Sequence, residues 1–147
     1  STPYFIIDSD FVDAVARCKK RGVEVIMLTP GTPDKKLVFQ ITRSNYRKLL
    51  EVGVKIFEFT PGFNHAKNVI VDGKYAYVGT SNLDYRSLFL HFECGALLIN
   101  AEVIDIIEKD FLDAVSKSLE FTLEDYKNIP WWQKLFGFFA KIINPAL

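Results

Sequence analysis

The chain has no run of 18 or more apolar residues, so no segment of it reads as a bilayer-spanning helix. The nearest candidate, Leu135 to Ile143, is short and is broken by Lys141. Charge of one sign is not in excess either: 18 Lys and Arg oppose 18 Asp and Glu. That excludes a surface that grips polyanions as a whole, and equally an acidic disordered tail. A local basic pocket is still allowed. Cysteine is scarce. Cys18 and Cys94 lack paired spacing, which argues against a disulfide scaffold or a zinc cluster and for a reducing compartment. Both are expected to be small core residues. The opening STPYFIID has neither the charged n-region nor the long apolar core of a signal peptide. It also lacks an initiator Met, so the chain reads as a piece of a longer one. No internal repeat and no low-complexity stretch is visible. What is present is 147 residues, 49% of them hydrophobic, which suits one globular domain. A chain of this length buries about two-thirds of its unfolded surface and needs no covalent staple.

The periodicity predicts an α/β domain. Tyr4 to Ile7 reads as a short strand. A helix follows over about Asp10 to Arg21, capped by Asp8 or Ser9 and stopped by Gly22. Val23 to Leu28 is almost wholly apolar and reads as a strand buried on both faces. A helix over Asp34 to Val52, with Gly53 as its stop, leads to a strand over Val54 to Phe59. Two strand-helix units in succession imply a parallel or mixed sheet. Ala66 to Val71 and Lys74 to Gly79 are two strands joined by Asp72-Gly73, a strong hairpin signal. Thr80 to Leu90 is polar and then apolar, Phe92 to Ile99 reads as a strand, and Asn100 caps a helix to about Leu119. Thr122 to Asn128 reads as a connector. A domain over 1–120 with a C-terminal appendage over 121–147 is therefore expected.

His65 and Lys67 stand two residues apart where a strand begins, so imidazole and ammonium project from one face. Gly79-Thr80-Ser81-Asn82 closes the second strand of the hairpin, which folds it back beside them. One nucleophile or acid-base group, one cation, one hydroxyl and one amide thus meet at one sheet end. That inventory suits a phosphate ester. Lys67 and Asn82 can hold non-bridging oxygens, and His65 can attack phosphorus or carry a proton near neutral pH.

The spacing His65-x-Lys67-x4-Asp72-x6-Gly79-Thr80-Ser81-Asn82 resembles the HKD signature of the phospholipase D superfamily. Pro61-Gly-Phe-Asn-His65, Val78-Gly-Thr-Ser-Asn-Leu-Asp-Tyr-Arg-Ser-Leu88 and Thr2-Pro-Tyr-Phe5 resemble the second, C-terminal half of bacterial cardiolipin synthases. The resemblance covers the whole chain, with Thr80 in place of the more usual Ser. It implies a phospholipase D-type α-β-α sandwich with a mixed sheet and a C-terminal amphipathic helix. It implies, too, metal-independent phosphatidyl transfer with no cofactor, between two phosphatidylglycerol molecules, giving cardiolipin and glycerol through a phospho-histidine. The catalytic residues it implies are His65, Lys67 and Asp72, with Lys67, Thr80 and Asn82 binding phosphate. Asp72, at a turn, serves structure as readily as chemistry. By analogy with two-motif relatives His65 is the general acid/base; in a pair of identical halves either role is open. The implied partners are a second HKD half, in the same protein or in another copy, and a membrane surface, at the cytoplasmic face of the bacterial cell membrane. Nucleic acid is not among them, because the chain carries no excess of Lys and Arg. The competing reading is a phosphodiesterase or nuclease acting as a homodimer of single-motif chains; another is a non-enzymatic half that activates a partner.

Glu93 matches a glutamate that relatives carry after the motif, and is expected to orient His65 of this or a paired half. His91 matches no motif position and reads as structural. In the tail, Trp131, Trp132, Phe136 and Phe139 form an apolar surface with Lys134 and Lys141 on one face. Such a segment suits a bilayer interface, or else packs on its own domain or on the other half.

Overall fold

A computed structural model describes residues 1–6 and 9–134. In chain order the elements are β1 (Phe5–Ile6), α1 (Ser9–Lys20), β2 (Ile26–Pro30), α2 (Lys36–Glu51), β3 (Lys55–Phe59), β4 (Asn68–Val71), β5 (Tyr75–Gly79), β6 (Leu83–Asp84), α3 (Tyr85–Phe89), β7 (Gly95–Ile99), α4 (Val103–Ser116), β8 (Ser118–Phe121) and α5 (Leu123–Asn128). The strands form a mixed arrangement. β2 and β3 are parallel and β8 runs antiparallel to β3. β1 lies parallel to β6, and β4, β5 and β7 form an antiparallel meander. The first two residues tie these segments together: Thr2 N–H donates to Leu28 O at 3.1 Å and Asn68 N–H to Ser1 O at 3.2 Å.

The core gathers Phe5, Met27, Tyr46, Leu49, Val54, Ile56 and Phe121, with α1 and α2 on that side and Tyr126 and Ile129 packed at its edge. α4 lies against β3 and β8, with Ile104 fully buried. The core also holds a polar clamp. Arg43 binds Glu58 through both nitrogens, Nε to Oε1 at 2.8 Å and Nη2 to Oε2 at 2.5 Å, and Glu58 is 6% exposed. Burial works to lower the Arg43 pKa, but the hydrogen bond and charge of Glu58 outweigh it and raise it. Beside this pair, the Tyr46 and Thr29 hydroxyls are joined at 2.6 Å.

Several boundaries differ from the sequence expectation, each for a local reason. The strand expected from Val23 begins at Ile26, because Gly22 takes φ +83° and Val23 N–H turns back to Cys18 O at 3.2 Å in a Schellman exit. Gly53 closes α2 in the same way, with Val54 N–H on Leu49 O at 3.0 Å. The helix expected to reach Leu119 stops at Ser116. Residues 118–121 form β8 instead, whose pairing with Ile56–Phe59 satisfies their backbone and buries Phe121. The expected connector holds α5, started by a capping box between Thr122 and Asp125. Asn100 does not cap α4; it turns the chain with φ +49° and donates its N–H to Lys74 O at 2.7 Å. Thr80 to Leu90 contains β6 and the short α3, capped by Asp84, whose carboxylate accepts from Ser87 N–H at 2.7 Å. Cys18 is half-buried and Cys94 exposed, so the expectation of two core cysteines fails. Cys94 precedes β7, on whose outer face Leu97 and Ile99 are 67% and 56% exposed among the described residues.

Candidate active site

The hairpin builds the site at one end. Asp72 and Gly73 both have positive φ, +52° and +62°, and Lys74 N–H returns to Val71 O at 3.0 Å. This is the backbone signature of a tight hairpin turn whose twist matches its strands. The register that follows sets Asn68 opposite Val78, and Gly79 N–H donates to Lys67 O at 3.1 Å. Lys67 and Gly79 therefore face each other across the strands. The same register removes Asp72 from the group. Five residues of strand put it about 16 Å from Lys67, at the opposite end of the hairpin, out of reach of any atom reacting beside His65.

His65 and Lys67 are brought into contact as their spacing predicts. Lys67 Nζ lies 3.1 Å from His65 Nδ1 and donates to His65 O at 2.8 Å. An ammonium can only donate, so Nδ1 is the acceptor and a neutral ring carries its proton on Nε2. Phe63 stacks on the imidazole with centroids 5.5 Å apart. Asn64 Oδ1 accepts from Ala66 N–H at 2.9 Å and shapes the turn into β4. Burial holds the Lys67 ammonium below the ordinary lysine range, partly offset by the carboxylates of Glu93 and Asp84. A cavity of about 290 Å³ opens beside His65, lined among others by Phe59, Phe63, Asn64 and Phe111.

Across the sheet end, Thr80 and Glu93 form a clasp. The Thr80 hydroxyl donates to Glu93 Oε2 in a short hydrogen bond and accepts from Cys94 N–H at 3.0 Å. Thr80 N–H donates to Cys94 O at 2.9 Å. The hydrogen bond from Thr80 is the main reason that the Glu93 carboxyl lies below its usual range; Ser87, His91 and Lys67 add to it against the effect of burial. Among the described residues no hydrogen bond joins Glu93 to His65; its partners are Thr80 and Ser87, with His91 Nδ1 at 3.8 Å. The clasp also leaves the Thr80 hydroxyl proton committed to Glu93 rather than turned toward a phosphate. Asn82 Nδ2 donates to Ser87 Oγ at 3.4 Å, while its Oδ1 is buried with no partner among the described residues. His91 accepts from Arg86 Nε at 3.3 Å.

Ser87 and Phe63 were missed by the sequence reading. Ser87 lies in the stretch that carries the resemblance, but its contact with Asn82 depends on how α3 folds. Phe63 had one, as an aromatic two residues before His65. Trp131 and Trp132 are exposed, and Phe136 and Phe139 lie outside the described residues. No helix among the described residues is long and apolar enough to cross a membrane.

The chain is similar to several known proteins. The family model for "cardiolipin synthase, PLD-like domain" matches residues 1–115. A cardiolipin synthase of Halalkalibacterium halodurans is 36% identical over 147 residues, which are 100% of this chain and 29% of that protein. The chain thus spans less than a third of the length of the curated relatives it matches. Among solved structures, phosphatidylserine synthase of Haemophilus influenzae superposes with a TM-score of 0.72 at 18% identity, covering 99% of this chain and 38% of that one. Nuc, a phospholipase D family member from Salmonella typhimurium, gives 0.68 at 16% identity, covering 81% and 78%. These likenesses show a phospholipase D-type fold.

Proposed function

The chain belongs to the family of cardiolipin synthase, phospholipase D-like domains, and from that premise we propose that it supplies one half of a two-histidine site for phosphatidyl transfer. The observation that carries the proposal is the contact of Lys67 Nζ with His65 Nδ1 at 3.1 Å, at the sheet end where the hairpin also delivers Asn82. As the doubly protonated imidazolium, His65 can give its Nε2 proton as a general acid and return to neutral imidazole, and the lysine beside it stabilises charge on a five-coordinate phosphorus.

In this reading the histidine of a second half attacks the phosphorus of phosphatidylglycerol. A P–N bond forms, the P–O bond to glycerol breaks, and His65 gives its Nε2 proton to the leaving oxygen. His65 then takes the proton of a hydroxyl on a second phosphatidylglycerol. That oxygen forms the new P–O bond, the P–N bond breaks, and cardiolipin leaves. Asp72 acts through the turn that sets the hairpin register. Glu93 positions the Thr80 segment here, and a motif histidine of the partner half is the one it orients. The partner half covers the outer face of β4, β5 and β7, where Val69, Val71, Leu97 and Ile99 are 47–67% exposed. Trp131 and Trp132 add a membrane contact at the cytoplasmic face.

The test is a product assay on phosphatidylglycerol vesicles without divalent metal, using the chain alone and with a complementary HKD half, and His65→Ala as control. Cardiolipin plus glycerol, absent with His65→Ala, supports the proposal. Phosphatidic acid instead marks a hydrolase, the phosphodiesterase reading in which copies of the chain pair. No product in either preparation overturns the proposal.

A further inference from the structure

Gly79 and Gly95 face each other at the end of β5 and β7. Both lack a side chain on the face that carries Lys67, Val69 and Tyr77, and the notch they leave is filled by the Tyr77 ring. A Cβ added at Gly79 would fall 2.7 Å from Tyr77 Cζ and 2.6 Å from Cys94 O; one added at Gly95 would fall 2.5 Å from both Cζ and Oη of Tyr77. Real side chains do not approach so closely, so the two glycines are what let the ring lie along the sheet instead of standing away from it.

That posture has a direction. The ring points from residue 77 toward residue 79, and a tyrosine side chain reaches about as far as two residues of strand, roughly 6.6 Å. The hydroxyl therefore arrives over Gly79. Gly79 is the cross-strand partner of Lys67, whose Cβ stands about 5 Å away on the same face. Tyr77 Oη thus reaches the catalytic end of the hairpin beside the Lys67 side chain. No hydrogen bond joins that hydroxyl to another described residue, whereas the Thr80 hydroxyl is held by Glu93 and Cys94. Unlike the Thr80 hydroxyl, the phenol keeps its proton free of any described partner.

We infer that Tyr77 is a phosphate-contacting residue of this site, its hydroxyl donating to a non-bridging oxygen held by Lys67. The inference deepens the phosphate-site reading above and rests on it. The phenol does the work expected of Thr80, and Thr80 with Glu93 holds the loop.

The experiment is a titration of the 147-residue chain, labelled with [¹³Cζ]tyrosine, with inorganic phosphate. The Tyr77 signal, one of six, is assigned from Tyr77→Phe. The expected result is a Tyr77 shift that saturates together with that of the Lys67 amide. Tyr77→Phe should bind phosphate about fivefold to tenfold more weakly, as for loss of one hydrogen bond to a charged group, with an unchanged melting temperature. Gly95→Ala should weaken binding as well, because its methyl displaces the ring. A static Tyr77 signal while Lys67 responds, or parental affinity in Tyr77→Phe, overturns the inference and leaves the phosphate site standing. Parental affinity in Gly95→Ala overturns the placement by the notch. No response at Lys67 either overturns the phosphate site and the inference with it.

Discussion

The β4-β5-β7 strands are richer in apolar residues than the β2-β3-β8 strands, 11 of 14 against 8 of 14, yet the two regions finish in opposite states. In the β2-β3-β8 region, Leu28, Ile56 and Phe121 are at most 7% exposed, closed over by α1, α2 and α4. In the β4-β5-β7 region, the face that carries Lys67 also shows Val69, Val71, Tyr75, Leu97 and Ile99 to solvent at 46–67%. One region is complete within the chain. The other presents the proposed catalytic groups together with an uncovered apolar face, as a surface that finishes against something else would. The difference teaches that stability and the candidate site are divided here: the buried half keeps the chain folded, and the open half carries His65 and Lys67.

Four changes would break or sharpen that contrast. The largest effect is expected from Ile56→Ala, which empties a fully buried position in β3 and should cost about 3 kcal/mol in urea unfolding. Glu58→Gln should cost about 2 kcal/mol, because it leaves the half-buried Arg43 guanidinium without its charge partner. A loss under 0.5 kcal/mol would show that the clamp is dispensable.

The third change is in pH. Lys67 is charged below its pKa, and burial lowers that pKa from 10.5. Phosphate binding should therefore fall as pH rises, at a lower pH than an exposed lysine would give. Lys67→Arg, which stays charged, should remove this alkaline loss. The smallest effect on folding is expected from Val69→Ser with Leu97→Ser, within about 0.5 kcal/mol each, since the two side chains are 47% and 67% exposed among the described residues. The same pair should weaken association with a second half in sedimentation experiments. A large loss of folding stability would mean that the face is already packed.

Much of this was legible in the residues alone. Asp72-Gly73 determined a hairpin, and the hairpin determined that His65 and Lys67 meet the segment from Gly79 to Asn82. Gly22 and Gly53 determined where two helices end, and the apolar runs determined an α/β domain. These are short-range matters, settled by backbone sterics and by the period of side chains along a strand or helix. The rest waited for the tertiary structure. Nothing local distinguishes Ser118–Phe121 as the end of a helix from a strand; its pairing with β3, more than fifty residues earlier, decided that. The partner of Glu93 was decided in the same way. The fold brings Thr80 to it across β5 and β7, so the carboxylate joins that hydroxyl and not the imidazole of its own chain. Tyr77 gained its place from two glycines that become neighbours only when those strands align. Sequence settles which conformations a segment can adopt. Which groups find each other depends on free energies of contact that exist only once distant segments are packed together.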